Sequence, residues 1–273
     1  MDVILDNLFE LGEANRPIFA VFFFLIGICI GSFANVCIYR LPEELSVIHP
    51  RSHCPSCKKQ IRWYDNIPLV SYILLGGKCR ACKSKISLGY FAVELISGLI
   101  FAFLFVYAGL SVELIWGFYF LTSLLIITLV DFKKMIIPDE ITLTGIFVGW
   151  FFAFVFPEIF NEVSNKSGLG ESVLGMVTGG GLMYLTAFVG DKIFKKESMG
   201  GGDIKLMAMI GAFLGVQGAL MTYFLAPFFA LPFGLYQKLA KKSEVVPYGP
   251  FIAMAAVFNV FFADWLLGVI LGL

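Results

Sequence analysis

Charge is what this 273-residue sequence has least of. Only 15% of its residues are Asp, Glu, Lys or Arg, and twenty acids balance twenty bases. Soluble domains carry about 25%. No basic arm or tract is present of the kind that follows nucleic-acid phosphates, which sets nucleic acid aside as a partner. Internal repeats and low-complexity segments are missing as well, and no strand pattern occurs outside one polar stretch. What replaces charge is apolar: 59% of the residues are hydrophobic, thirty are Phe, and mean hydropathy is +0.86. One globular core cannot hide that excess, so lipid must solvate much of it. Twenty-eight glycines fit the same picture, because Gly lets membrane helices approach closely.

A spanning helix needs about 20 mostly apolar residues, since the hydrocarbon is ~30 Å thick and each residue rises ~1.5 Å. Such runs fall near 17–38, 89–108, 112–131, 140–157, 169–190, 203–217, 218–237 and 249–271. They predict an all-α polytopic membrane protein of about eight transmembrane helices. The sixth and seventh are short and glycine-interrupted. The first run is read as a retained helix and not a cleaved signal: it is too long, acids precede it, and no small-x-small site follows. Basic residues orient the chain. With the N-terminus outside, the inside segments hold Arg40, Arg51, Lys58, Lys59, Arg62, Lys78, Arg80, Lys83, Lys85, Lys133, Lys134, Lys192, Lys195, Lys196, Lys205, Lys238, Lys241 and Lys242. Arg16 and Lys166 alone fall outside. Three parts follow: a first helix with its N-terminal segment (1–38), a cytoplasmic insert (39–88) and a seven-helix bundle (89–273).

The insert carries four of the six cysteines. Cys54 and Cys57 form one C-x-x-C, Cys79 and Cys82 another. Paired knuckles of this kind suit tetrahedral zinc, with four thiolates at ~2.3 Å and no open position for catalysis. Lys58, Lys78 and Lys83 would offset the charge of the tetrathiolate. Two disulfides or a redox pair are the alternatives; the reducing side of the membrane disfavours the first, and no thioredoxin-like βαβ pattern supports the second. Metal binding would fold a segment too short for its own core. Cys29 and Cys37, in the first apolar run, are expected to be small core residues.

Acids at the ends of spans are costly and need individual readings. Asp131 ends the third span and Asp203 opens the sixth. Under the topology above they share the cytoplasmic face at one depth. Two carboxylates that share a proton can activate water for peptide hydrolysis, one as base and one as acid. Gly200, Gly201 and Gly202 would let substrate backbone approach. The alternatives stay open: Asp203 as an N-cap, and Asp131 as an interfacial carboxylate beside Lys133 or Lys134. Pro138-Asp139-Glu140 reads as a helix start, with acids favoured by the dipole.

Four blocks in this order, GSFANVCIYRLP (31–42), the tetracysteine insert with WYDNIPLVSYILLGGKCR, DFKKMIIPDEIT (131–142) and GGGDIK (200–205), resemble the type IV prepilin peptidase family. The match runs from about Gly31 to the last helix. The resemblance implies a G-x-G-D aspartic protease of the bacterial inner membrane, with Asp131 and Asp203 as the catalytic pair facing the cytoplasm. Its substrates would be prepilins or the pseudopilins of type II secretion, cut after a glycine that ends a basic leader. The cysteine insert marks the bifunctional members, which then methylate the new N-terminal residue using S-adenosylmethionine. No residue is placed as the methyl donor's site. Arg40, Trp63, Asp65 and Asn66 lie in matched motifs and are open to that role or to fold maintenance. A non-enzymatic transporter or pilus assembly factor, using the cysteines as a docking module, is the rival reading.

Overall fold

The computed structural model describes residues 15–195, 199–241 and 246–271. Residues 1–14, whose acids entered the signal-sequence reading, and Lys196 and Lys242, which entered the orientation argument, lie outside them. The described chain is helical: α1 (Arg16–Arg40), the short α2 (Val70–Leu74), α3 (Leu88–Ala108), α4 (Val112–Lys134), α5 (Asp139–Val155), α6 (Asn165–Phe194), α7 (Gly201–Tyr236) and α8 (Gly249–Leu271). Among the described residues α1, α3, α4, α6 and α7 are long and apolar enough to cross a membrane, and Gly249–Ala263 forms a shorter apolar helix. All eight expected runs are helical. The sixth and seventh are the two arms of α7.

The chain divides into two units, Met1–Thr122 and Ser123–Leu273. In the first, α1 and α3 cross through small residues. A Cβ on Gly27 would lie 2.8 Å from Gly98 Cα and Phe101 Cβ, and one on Gly31 would lie 2.8 Å from Glu94 Cα and Ser97 Oγ. Only glycine permits backbones this close. Phe23 stacks on Phe105 at 5.0 Å, and Phe101 on Phe118 at 3.8 Å. Asn35 ties the pair further, its Nδ2 donating to the Tyr90 carbonyl at 2.9 Å. Of the two lone cysteines Cys37 is buried, as expected, whereas Cys29 is exposed on α1 and does not belong to the core. The helical repeat turns it away from the Gly27–Gly31 face.

In the second unit α6 begins with a capping box, Ser164 and Ser167 satisfying each other's backbone N–H groups. Its glycine-rich face meets both arms of α7. A Cβ on Gly175 would run into Gly211 O and come within 2.8 Å of Gly215 Cα; one on Gly179 would meet Met207 O and lie 3.5 Å from Ala219 Cβ. In an unbroken helix residues 207 and 219 would stand about 18 Å apart, too far for one glycine to touch both. The chain therefore doubles back at Gly215, whose φ of 69° and ψ of −170° interrupt the helix. Glu171 caps the second arm, its Oε1 accepting from Val216 N at 2.8 Å. The first arm therefore carries its N-terminus, and Asp203, at the end away from the reversal.

Candidate active site

Asp131 occupies the last turn of α4 and is 5% exposed. The N-terminus of α8 comes to it: Gly249 N donates to Asp131 Oδ2 at 3.0 Å. Only a glycine fits there, because a Cβ on Gly249 would stand 2.8 Å from that same oxygen and 3.1 Å from Ile137 Cδ1. Asp203 is the third residue of α7, whose N-cap is Gly200. It is therefore not the cap that the sequence also allowed. Its carboxylate turns back to Gly200, where a Cβ would sit 3.7 Å from Oδ2.

Ile137, in the link between α4 and α5, joins the two acids. Its side chain fills the space beside Gly249 on one side and meets Gly202 on the other, 2.9 Å from where a Cβ would be. The start of α7 and the Asp131–Gly249 contact are thus packed on one residue. Tyr248 leads into Gly249 at this site, its carbonyl accepting from Phe251 N and Ile252 N to start α8. Of the three glycines marked in the sequence, Gly202 is required by packing on Ile137, Gly200 borders Asp203, and Gly201 faces open space. Asp139 opens α5 after Pro138 and receives Lys205 Nζ at 2.6 and 2.7 Å, which links the starts of α5 and α7.

Residues 25–108 match the Bacterial Peptidase A24 N-terminal domain and residues 118–235 the Type IV leader peptidase family. A protein named Prepilin leader peptidase/N-methyltransferase from Vibrio cholerae is 33% identical over 261 residues, 90% of this chain and 97% of that protein. The chain belongs to the type IV leader peptidase family. A namesake from Neisseria gonorrhoeae is 31% identical over 92% of each chain, and one from Myxococcus xanthus 35% identical over 82% of this chain and 64% of its own length. No solved structure matches.

Family membership extends to the insert, which lies within the first matched domain. Its four thiols come together, with the Sγ atoms of Cys54, Cys57, Cys79 and Cys82 all within 4.8 Å of one another. The two knuckles are copies of one turn. Lys58 N donates to Cys54 O and Lys83 N to Cys79 O, both at 2.9 Å; Cys54 N donates to Lys59 O and Cys79 N to Ser84 O. Lys58 and Lys83 both take left-handed φ values, 58° and 60°. Backbone N–H groups of Cys57 and Ser56 lower the Cys54 thiol, while the neighbouring Cys57 thiol is raised in turn. Two of the motif residues left open in the sequence hold the fold. Arg40 is buried, its guanidinium donating to Ser46 O and Pro50 O. Asp65 takes a forked pair of bonds from Arg80, which holds its carboxyl below the usual range. Trp63, by contrast, is 80% exposed.

The residues that sequence reasoning missed are Ile137, Tyr248 and Gly249. Gly249 is 118 positions from its partner Asp131, and no spacing rule links them. Glu94 was missed although its signal was present: it is an acid in the middle of an apolar run.

Proposed function

We propose that this multi-pass membrane protein is an aspartic endopeptidase that removes the leader of type IV prepilins or pseudopilins, with Asp131 and Asp203 as its catalytic pair, and that it then N-methylates the new N-terminus. What supports the reading is that Ile137 packs both on Gly202, next to Asp203, and beside Gly249, whose N–H donates to the buried Asp131. Like charges held close share a proton, which gives one acid and one base at the same pH. The base takes a proton from water as its oxygen attacks the scissile carbonyl carbon, and the acid protonates the carbonyl oxygen. Collapse of the tetrahedral intermediate breaks the C–N bond: the proton held by the base passes to the leaving amine, and a hydroxyl of the intermediate returns its proton to the carboxylate that acted as acid. One water is consumed and the pair returns to its starting state. Gly201, open to solvent at the start of α7, leaves room for an extended substrate backbone.

The site faces the cytoplasm of the bacterial inner membrane by the placement of lysine and arginine. A prepilin anchored by an apolar helix would there present its leader at the level of the two acids. The cysteines hold structural zinc. A tetrahedral ion at ~2.3 Å from each sulfur sets neighbouring sulfurs about 3.8 Å apart, and Cys54 Sγ lies 3.8 Å from Cys82 Sγ. All four positions are then filled by protein, so the ion organises the insert and takes no part in hydrolysis. S-adenosylmethionine supplies the methyl group.

The test is incubation of purified protein with a prepilin, with and without the methyl donor, read by intact mass. Asp131→Asn and Asp203→Asn should each abolish leader loss in protein that still inserts and unfolds normally. Wild-type cleavage in either variant would end the aspartic mechanism and reopen the transporter reading.

A further inference from the structure

Helix α2 is amphipathic in the wrong sense for water. Its polar residue Ser71 is buried at 6% exposure, donating to Tyr64 O at 2.9 Å and accepting from Ile67 N at 3.0 Å. Its aliphatics point the other way: Val70, Ile73 and Leu74 are 47%, 66% and 79% exposed. The spacing i, i+3, i+4 places all three on one stripe. An exposed apolar stripe on a segment built around a buried hydroxyl marks an interaction surface.

Neighbouring contacts say what covers it. Leu69, held at the unusual φ of 58°, donates its N–H to Glu94 at 2.8 Å. Glu94 lies six residues into α3, about 9 Å along a helix that is long and apolar enough to span. The Tyr72 ring packs on Phe91 at 5.3 Å between centroids, and its hydroxyl donates to Ile86 O at 3.4 Å. Helix α2 therefore runs beside the first two turns of a membrane helix and not above it. Just after it come the exposed Lys78, Lys83 and Lys85, with Arg80 already paired to Asp65, while the other acids of the insert are Glu43 and Glu44. That surplus of positive charge complements anionic headgroups.

We propose that α2 is an interfacial membrane anchor, with the Val70–Ile73–Leu74 stripe seated at the boundary of headgroups and acyl chains in the leaflet where α3 begins. Glu94 fixes its depth through Leu69, and the basic residues engage lipid phosphate. The four-cysteine cluster is then held at the bilayer surface by the α1 end that precedes it and by α2, which lies between its two knuckles in sequence. The inference depends on the chain crossing a membrane and is independent of its proteolytic chemistry.

Depth-resolved quenching tests it on the full chain in lipid nanodiscs containing anionic lipid. In a background with Trp63, Trp116, Trp150 and Trp265 changed to Phe, Leu74→Trp provides one reporter. Bromines near the top of the acyl chains should quench most of its emission, which should also be blue-shifted and protected from acrylamide. Lys59→Trp in the same background should respond only to acrylamide. A second measurement leaves the native tryptophans in place: a diazirine amino acid at position 73 should yield lipid adducts on illumination, detected by mass. Emission at position 74 open to acrylamide and indifferent to bromine, with no lipid adduct from 73, would refute the anchor. Shielding from both quenchers, with a protein adduct from 73, would equally overturn it in favour of a protein partner.

Discussion

Gly249→Ala is the most incisive perturbation the structure offers, because it adds one methyl group against a carboxylate oxygen. The new Cβ would stand 2.8 Å from Asp131 Oδ2 and 3.1 Å from Ile137 Cδ1, whereas ordinary contacts begin at 3.4 Å. Relief requires Asp131 to retreat by about 0.6 Å or Ile137 to shift. Both movements degrade the pair, since Ile137 also seats Gly202 and so the start of α7. The Gly249 N–H bond to Asp131 would lengthen in step from its present 3.0 Å. Misplacement of a reacting group by ~1 Å can cost about a hundredfold. Leader cleavage should accordingly fall by roughly ten- to a hundredfold in kcat, with KM little changed. The assay is cleavage of a prepilin under saturating substrate, with methyl transfer measured separately on pre-cleaved substrate. Because the substitution leaves untouched the four-cysteine insert to which the resemblance ties methylation, methyl transfer should persist near the wild-type rate, which also shows that the protein is folded. Wild-type cleavage in Gly249→Ala would mean that Asp131 tolerates displacement, and the geometric reading of the pair would fail.

Replacing Cys54 and Cys57 by Ser should release zinc, measured by elemental analysis of purified protein, and impair methylation more than proteolysis; wild-type protein free of zinc would overturn the assignment. Lys205→Met removes the ion pair between the starts of α5 and α7. An exposed pair is worth at most about 1 kcal/mol, so thermal stability should hold and cleavage should fall by no more than about fivefold; total loss in folded protein would place Lys205 in the chemistry itself. Gly211→Ala drives a methyl into the Gly175 backbone and should cost about 1–3 kcal/mol or more of stability, seen as a lower unfolding temperature in detergent. Gly201→Ala meets nothing within 4 Å and should leave stability intact, so that a raised KM in this variant reports directly on substrate backbone passing over the glycine.

The parts of this molecule that were legible in sequence are those set by local composition. Helix α3 was expected at 89–108 and runs Leu88–Ala108; α8 was expected at 249–271 and runs Gly249–Leu271. Hydrocarbon thickness fixes such lengths whatever the tertiary partners. The paired knuckles were legible because a four-residue turn determines the bite of its own two cysteines. Topology put Asp131 and Asp203 at two helix ends on one face, and in the structure Ile137 packs on Gly202, next to Asp203, and beside Gly249, which holds Asp131. What placed them was not visible. Ile137 belongs to a short link with no periodicity, and Gly249 reads as an ordinary helix start until α4 is folded against it. Cys29 went astray for a related reason: hydropathy marks a membrane helix as apolar all round and does not say which side meets protein.

Membrane helices invert the usual cue, and α2 and Gly215 make the point from opposite directions. In water, apolar residues mark the inside, so a stripe such as Val70, Ile73 and Leu74 would be assigned to a core; beside a span it can face lipid while Ser71 is buried. Within the bilayer, hydrophobicity no longer drives helices together, and packing falls to small residues and hydrogen bonds. The informative residues are then the ones that look least apolar in each run. Gly175, Gly179 and Gly211 fix how α6 receives the two arms of α7, Glu171 caps the reversal, and Glu94 ties α2 to α3. A sequence of this class is read best through its glycines and its few buried acids: the glycines set where backbones touch, and each acid must be matched to the N–H or cation that makes its presence tolerable. By that rule Glu94 and Glu171 carry structural information of the same kind as Asp131.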